Sequence, residues 1–217
     1  MKVVVTRSLL FLMLFVTTGT AYGQSKLNIV LILMDNLGYG ELGVYGGGIM
    51  RGAPTPRNDK LASEGLRLLN FNVEAQCTPS RAALMTGRYA IRSGNGSVPI
   101  DTPLYWLLQR EYTIPKMLSD VGYATGAFGK WHLGHTEGRY PTDLGFDEWC
   151  GIPDSSDESF WPGNPMYRPR SDPFAALESV MEGTKGQVPK KLKVYDLAER
   201  RIIDRELTDK AKDFISR

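Results

Sequence analysis

A chain of 217 residues is long enough for one sizeable domain, or a domain with an extension. Apolar residues make up 42% and charged residues 23%, which excludes a disordered chain and fits an ordinary globular protein. Lys and Arg number 26 against 24 Asp and Glu, and there is no basic tract or zinc-finger spacing, so a nucleic-acid partner is not expected.

Residues 1–23 come first, with Lys2 and Arg7 ahead of an apolar run and Ala21-Tyr22-Gly23 at its end. A positive start, a short apolar region and a small-x-small site read as a secretory signal peptide cleaved near Gly23. No later stretch is long and apolar enough for stable membrane insertion. The mature chain, 24–217, is expected to be secreted or periplasmic. Export permits disulfides, so a Cys77–Cys150 bridge is one reading of the 2 cysteines.

Residues 27–34, LNIVLILM, form a continuous apolar run rich in branched side chains, expected as a strand buried on both faces. Residues 55–65 read as a helix, with Thr55 as N-cap, Pro56 first, Leu61 and Ala62 inward and Gly65 as the stop. Residues 66–73 are a second expected strand. Pro79 opens a helix that Gly87 ends. Residues 113–122 predict a short helix, 123–129 a strand and 192–196 another. The alternation predicts an α/β fold, a doubly wound, mostly parallel sheet with flanking helices.

Residues 150–190 are dense in Pro, Ser, Asp and aromatics and read as a loop-rich insertion. Within it Phe160, Trp161 and Tyr167 either shape a specificity loop or pack on the surface. Residues 206–217 predict a final helix with Thr208 as N-cap and a stripe of Leu207, Ala211, Phe214 and Ile215. No strand follows to cover that stripe, so the sheet is expected to be incomplete at its C-terminal end.

Three places carry chemistry. Asp35-Asn36 follows the first expected strand, and ligands bind beyond the carboxyl ends of such strands. Its oxygens are hard donors suited to Ca²⁺ or Mg²⁺, although alone the pair also reads as a solvated turn. Cys77 precedes the helix opened by Pro79, and Arg81 lies one turn on. Together they form either a cationic anion pocket around a sulfur, or a structural cysteine beside a surface arginine. Lys130 and His132 alternate around Trp131. In an extended segment they share a face and suit an oxyanion, or else they are a surface lysine and a core histidine. His135 falls in the loop beyond.

The co-occurrence is more specific than any part. Cys77-Thr78-Pro79-Ser80-Arg81, continuing to Thr86-Gly87-Arg88, resembles the signature of the sulfatase family. Asp35-Asn36-Leu37-Gly38-Tyr39-Gly40, Gly129-Lys130-Trp131-His132-Leu133-Gly134 and residues 140–149 resemble the motifs around it, in the same order. The resemblance implies an alkaline-phosphatase-like fold and an arylsulfatase-like sulfuric ester hydrolase. It implies that a formylglycine-generating enzyme reads Cys-x-Pro-x-Arg and oxidises Cys77 to formylglycine, which lowers the expectation of a disulfide there. The hydrated aldehyde would attack sulfur with one hydroxyl and expel sulfate through the other. By the same resemblance, Asp35, Asn36 and the modified Cys77 bind a Ca²⁺ ion (or Mg²⁺). Arg81 holds the hydrate, Lys130 bridges it and the sulfate, and His132 serves the second hydroxyl.

Two departures stand out. Asn36 replaces the more usual second aspartate, and the family's later metal and sulfate ligands have no counterpart among these 217 residues. The chain therefore reads as the N-terminal portion of a catalytic domain, with an incomplete site that holds Ca²⁺ weakly. Alternative readings are a phosphonate or phosphate ester hydrolase of the same superfamily, or an inactive secreted fragment. The substrate class implied is a small-molecule or glycan sulfate ester.

Overall fold

The computed structural model describes residues 26–99, 106–156, 161 and 178–217. The expected signal peptide, Phe160 and Tyr167 lie outside the described residues. Among these residues no helix is long and apolar enough to cross a membrane. The chain divides into two compact units, 1–54 and 55–217.

In the first unit, residues 27–34 form no strand. Their apolar side chains are open to solvent, Leu27 at 75% and Ile32 at 72%. The expected buried strand is thus corrected: a strand needs a hydrogen-bonded neighbour, and this segment has none among the described residues. Short 3-10 turns follow at Tyr39–Glu41, Gly43–Tyr45 and Gly48–Arg51. The Tyr39 and Tyr45 rings stack at 4.0 Å.

The second unit begins with α1, Pro56–Glu64, where Pro56 takes the first helical position as expected. Leu61, however, is 70% exposed rather than inward. Residues 66–73 are also not a strand, and Leu66, Leu69 and Phe71 are exposed. Helix α2, Cys77–Thr86, ends at Gly87, whose φ of 65° is the left-handed stop that glycine supplies without a Cβ clash. Helix α3, Ile114–Asp120, is capped by the Thr113 hydroxyl, which accepts the Lys116 N–H.

Strands β1 (Gly126–Phe128), β2 (Glu148–Gly151), β3 (Ser179–Thr184) and β4 (Lys190–Val194) form one sheet in sequence order. The first pairing is parallel and the next two are antiparallel, with a bulge at Val180/Met181. The sheet is therefore mixed, and the stretch expected as loop-rich, 150–190, contains β3 and the turn into β4. Thr125 and Asp147 set the parallel register: the Asp147 carboxylate accepts from the Thr125 N–H and hydroxyl at 2.9 and 3.0 Å. The Asp147 N–H donates back to the Thr125 hydroxyl at 3.0 Å.

Side chains alternate across this sheet, as the pleat requires. Trp149 and Met181 join Ala82 of α2, Leu107, Trp131, Leu133 and Leu144 in one core cluster. Cys150 and Val180 join Ile152, Trp161, Tyr195, Ile203 and Leu207 in another. Trp161, considered above for a specificity loop, is thus a core residue, and its indole N–H donates to the Tyr195 carbonyl at 3.0 Å. Apolar cover on both faces is what an α/β sheet needs.

After the short α4, Leu197–Arg200, helix α5 runs Ile203–Ser216. It starts five residues before the expected cap at Thr208. That hydroxyl instead donates to the Asp204 carbonyl at 2.6 Å, an interior back-bond one turn away. The expectation of an uncovered stripe is also corrected. Leu207 is buried and the Phe214 ring packs on Phe128 at 5.7 Å, leaving Ile215 as the exposed member.

Candidate active site

Cys77 is the first residue of α2, partly exposed, and it begins the turn whose backbone N–H groups have no intrahelical partners. The helix dipole favours an anion at this end. Two side chains of the same turn dock the helix onto a distant segment. The Thr78 hydroxyl donates to the His132 carbonyl at 3.1 Å, and Arg81 Nη1 donates to the Lys130 carbonyl at 2.6 Å. The halves of the resemblance that carry Cys77–Arg81 and Lys130–His132 therefore meet.

The 129–134 segment is not the extended run expected. Gly129 has φ 138° and His132 has φ 57°, so alternation fails after β1. The cause is a second track of hydrogen bonds. The Trp131 and His132 N–H groups donate to the Ile152 and Pro153 carbonyls at 3.0 and 2.8 Å, continuing the β1–β2 pairing with a kink. A Cβ on Gly151 would lie 1.8 Å from the Gly129 carbonyl oxygen, so only glycine permits this approach. His132 is fully buried. Lys130 Nζ reaches the Ser155 hydroxyl at 3.0 Å. Thr78 and Ser155 are positioning residues that sequence reasoning missed. Thr78 lay inside the quoted motif, but Ser155 sat in a Ser- and Asp-rich loop with no local signal.

His135 and Asp154 form a further contact, Nδ1 to Oδ1 at 2.7 Å. Both cysteines are free. Cys150 is buried on β2, and burial pushes its thiol pKa up.

Asp35 and Asn36 belong to the first unit, at a turn where Asn36 takes φ 55°. Both side chains are exposed. Their carboxylate and amide oxygens fit a hard cation in kind. In number they fall short of the about six to eight oxygens Ca²⁺ takes. Among the described residues no group of three or more His, Cys, Asp or Glu could hold a metal ion.

Comparison with known proteins agrees with the motif pattern. Residues 27–217 match the family model described as Sulfatase. N-acetylgalactosamine-6-sulfatase of Canis lupus familiaris is 37% identical over 164 residues, covering 69% of this chain and 31% of that protein. Human Arylsulfatase G is 42% identical over 144 residues, covering 66% of this chain and 27% of that protein. The PsFucS1 sulfatase from Pseudoalteromonas sp. superposes with a TM-score of 0.72 at 36% identity, over 85% of this chain and 39% of that one. The chain belongs to the sulfatase family. It has the family's α/β, alkaline-phosphatase-like fold, and it spans less than a third of the length of the two curated relatives named here.

Proposed function

We propose that this chain supplies the nucleophile half of the active site of an exported sulfuric ester hydrolase, and that Cys77 is converted to formylglycine by a formylglycine-generating enzyme. The observation that carries the reading is the docking of α2 on the 130–132 segment through Thr78 and Arg81. It joins the cysteine to a lysine and a histidine that are more than 50 residues away in sequence.

In this reading the modified Cys77 supplies the nucleophile for sulfur. Arg81, held by the Lys130 carbonyl, presents positive charge beside the helix N-terminus. Lys130, steadied by Ser155, binds the sulfate oxygens. The buried His132 imidazole moves a proton at the second hydroxyl of the hydrated side chain. Asp35 and Asn36 are residues that would hold a divalent cation, Ca²⁺ or Mg²⁺, and such an ion would neutralise charge on a sulfate. The name of the canine relative directs the substrate reading to sulfate esters of sugars. Export follows from residues 1–23, and N-terminal sequencing of secreted protein is expected to begin near Gln24.

The test is to produce the full-length protein with a formylglycine-generating enzyme and read the mass of the Cys77 peptide. Conversion to the aldehyde, with p-nitrophenyl sulfate hydrolysis that Cys77→Ala abolishes, is expected. An unmodified thiol, or turnover indifferent to Cys77→Ala, overturns the reading.

A further inference from the structure

We propose that His135, oriented by Asp154, is a specificity-determining residue that hydrogen-bonds a hydroxyl of the sugar carrying the sulfate. The proposal rests on the sulfatase reading above and adds to it a residue outside the resemblance motifs.

The geometry begins with the 152–155 loop. Its Ile152 and Pro153 carbonyls fix the backbone of Trp131 and His132, and its next two side chains each hold one end of the same segment. Ser155 holds Lys130 at 3.0 Å, and Asp154 holds His135 Nδ1 at 2.7 Å. The loop that positions the sulfate-binding lysine therefore also positions His135. The Asp154 N–H donates to the Glu178 carboxylate at 2.8 Å, so Asp154 is itself anchored at its backbone.

Trp106 ties the two imidazoles together. Its ring lies 5.9 Å from that of His132 and 5.5 Å from that of His135, and the indole is only 4% exposed. One buried ring thus spaces a fully buried histidine from one whose side chain is 44% exposed. The buried imidazole suits proton transfer at the reacting centre, while the exposed one meets what projects from it. A bare sulfate and an aryl group offer no hydroxyl there, whereas a sugar does. Fixing Nδ1 with a carboxylate sets the ring's orientation before substrate arrives, which lowers the ordering cost of a directional contact.

The competing account makes His135–Asp154 a surface pair that only closes the loop. Titration of the full chain with N-acetylgalactosamine 6-sulfate and with inorganic sulfate separates the two. Calorimetry reads affinity and the imidazole NMR signals read the site. His135→Ala is expected to weaken the sugar sulfate about tenfold, the loss of one hydrogen bond, and to leave inorganic sulfate within about twofold. Asp154→Asn keeps the shape and is expected to give a smaller loss of the same ligand, with an unchanged melting temperature. If His135→Ala leaves both affinities unchanged, the pair is only a loop closure and the proposal falls. If it weakens both equally, His135 belongs to the anion cradle and the proposal also falls. Binding of neither ligand by the unaltered chain overturns the sulfatase reading itself, and this proposal with it.

Discussion

The Thr78 hydroxyl and the His132 carbonyl meet at 3.1 Å, and neither residue has measurable exposure to solvent. A buried carbonyl that loses its donor keeps its full desolvation penalty. Thr78→Val preserves the shape and removes the donor. It is expected to lower stability by about 1–3 kcal/mol, read by denaturant unfolding, while Thr78→Ser retains most of it.

Arg81 has two expected tasks, and they separate experimentally. Its guanidinium is fixed by the Lys130 carbonyl at 2.6 Å, and its position also lies within the Cys-x-Pro-x-Arg sequence that the proposed modifying enzyme would read. Arg81→Lys keeps the charge but loses the planar donor fork. If the peptide mass shows that Cys77 is still converted, turnover by the full-length protein is expected to fall by roughly 10²-fold or more.

The two cysteines are expected to differ in reactivity. Cys77 is partly exposed at a helix N-terminus, whereas Cys150 is buried with its thiol pKa raised by that burial. Brief iodoacetamide treatment of the unmodified folded chain at neutral pH should label the Cys77 peptide and spare Cys150. Unfolding in denaturant should equalise them, as peptide mass mapping would show.

Asp147 links stability to pH. Burial pushes its carboxyl pKa up, but the Thr125 N–H, the Lys185 ammonium and the Thr125 hydroxyl together outweigh that and hold it below the ordinary aspartate range. A folded pKa below the unfolded one favours the folded state at higher pH. This contribution is therefore complete above the unfolded value of about 4, and it is lost as pH falls through the folded value. Asp147→Asn should flatten the acid limb of stability against pH, read by thermal unfolding between about pH 2 and 6.

Local chemistry made several features legible from sequence. Gly87 ends α2 as expected, whereas the helix begins at Cys77, two residues before the expected opening at Pro79. The short helix expected over 113–122 is α3, because stops and starts are written in one or two adjacent residues. The motifs around Cys77, Arg81, Lys130 and His132 resemble those of the sulfatase family, and that resemblance was legible without any coordinates. Tertiary structure decided what those side chains touch. The Thr78 and Arg81 acceptors lie 54 and 49 residues away, and no local window contains them. The kink at His132 arises from pairing with 152–153, which overrides the alternation that Lys130-Trp131-His132 shows on its own. Thr208 looked like a helix start because a threonine ahead of an apolar stripe usually caps one. Ile203 and Leu207, packed beneath Cys150 and Val180, extended α5 backwards past it. Residues 27–34 and 66–73 have strand composition, yet a strand is completed only by a neighbour's N–H and C=O groups, and composition does not supply them.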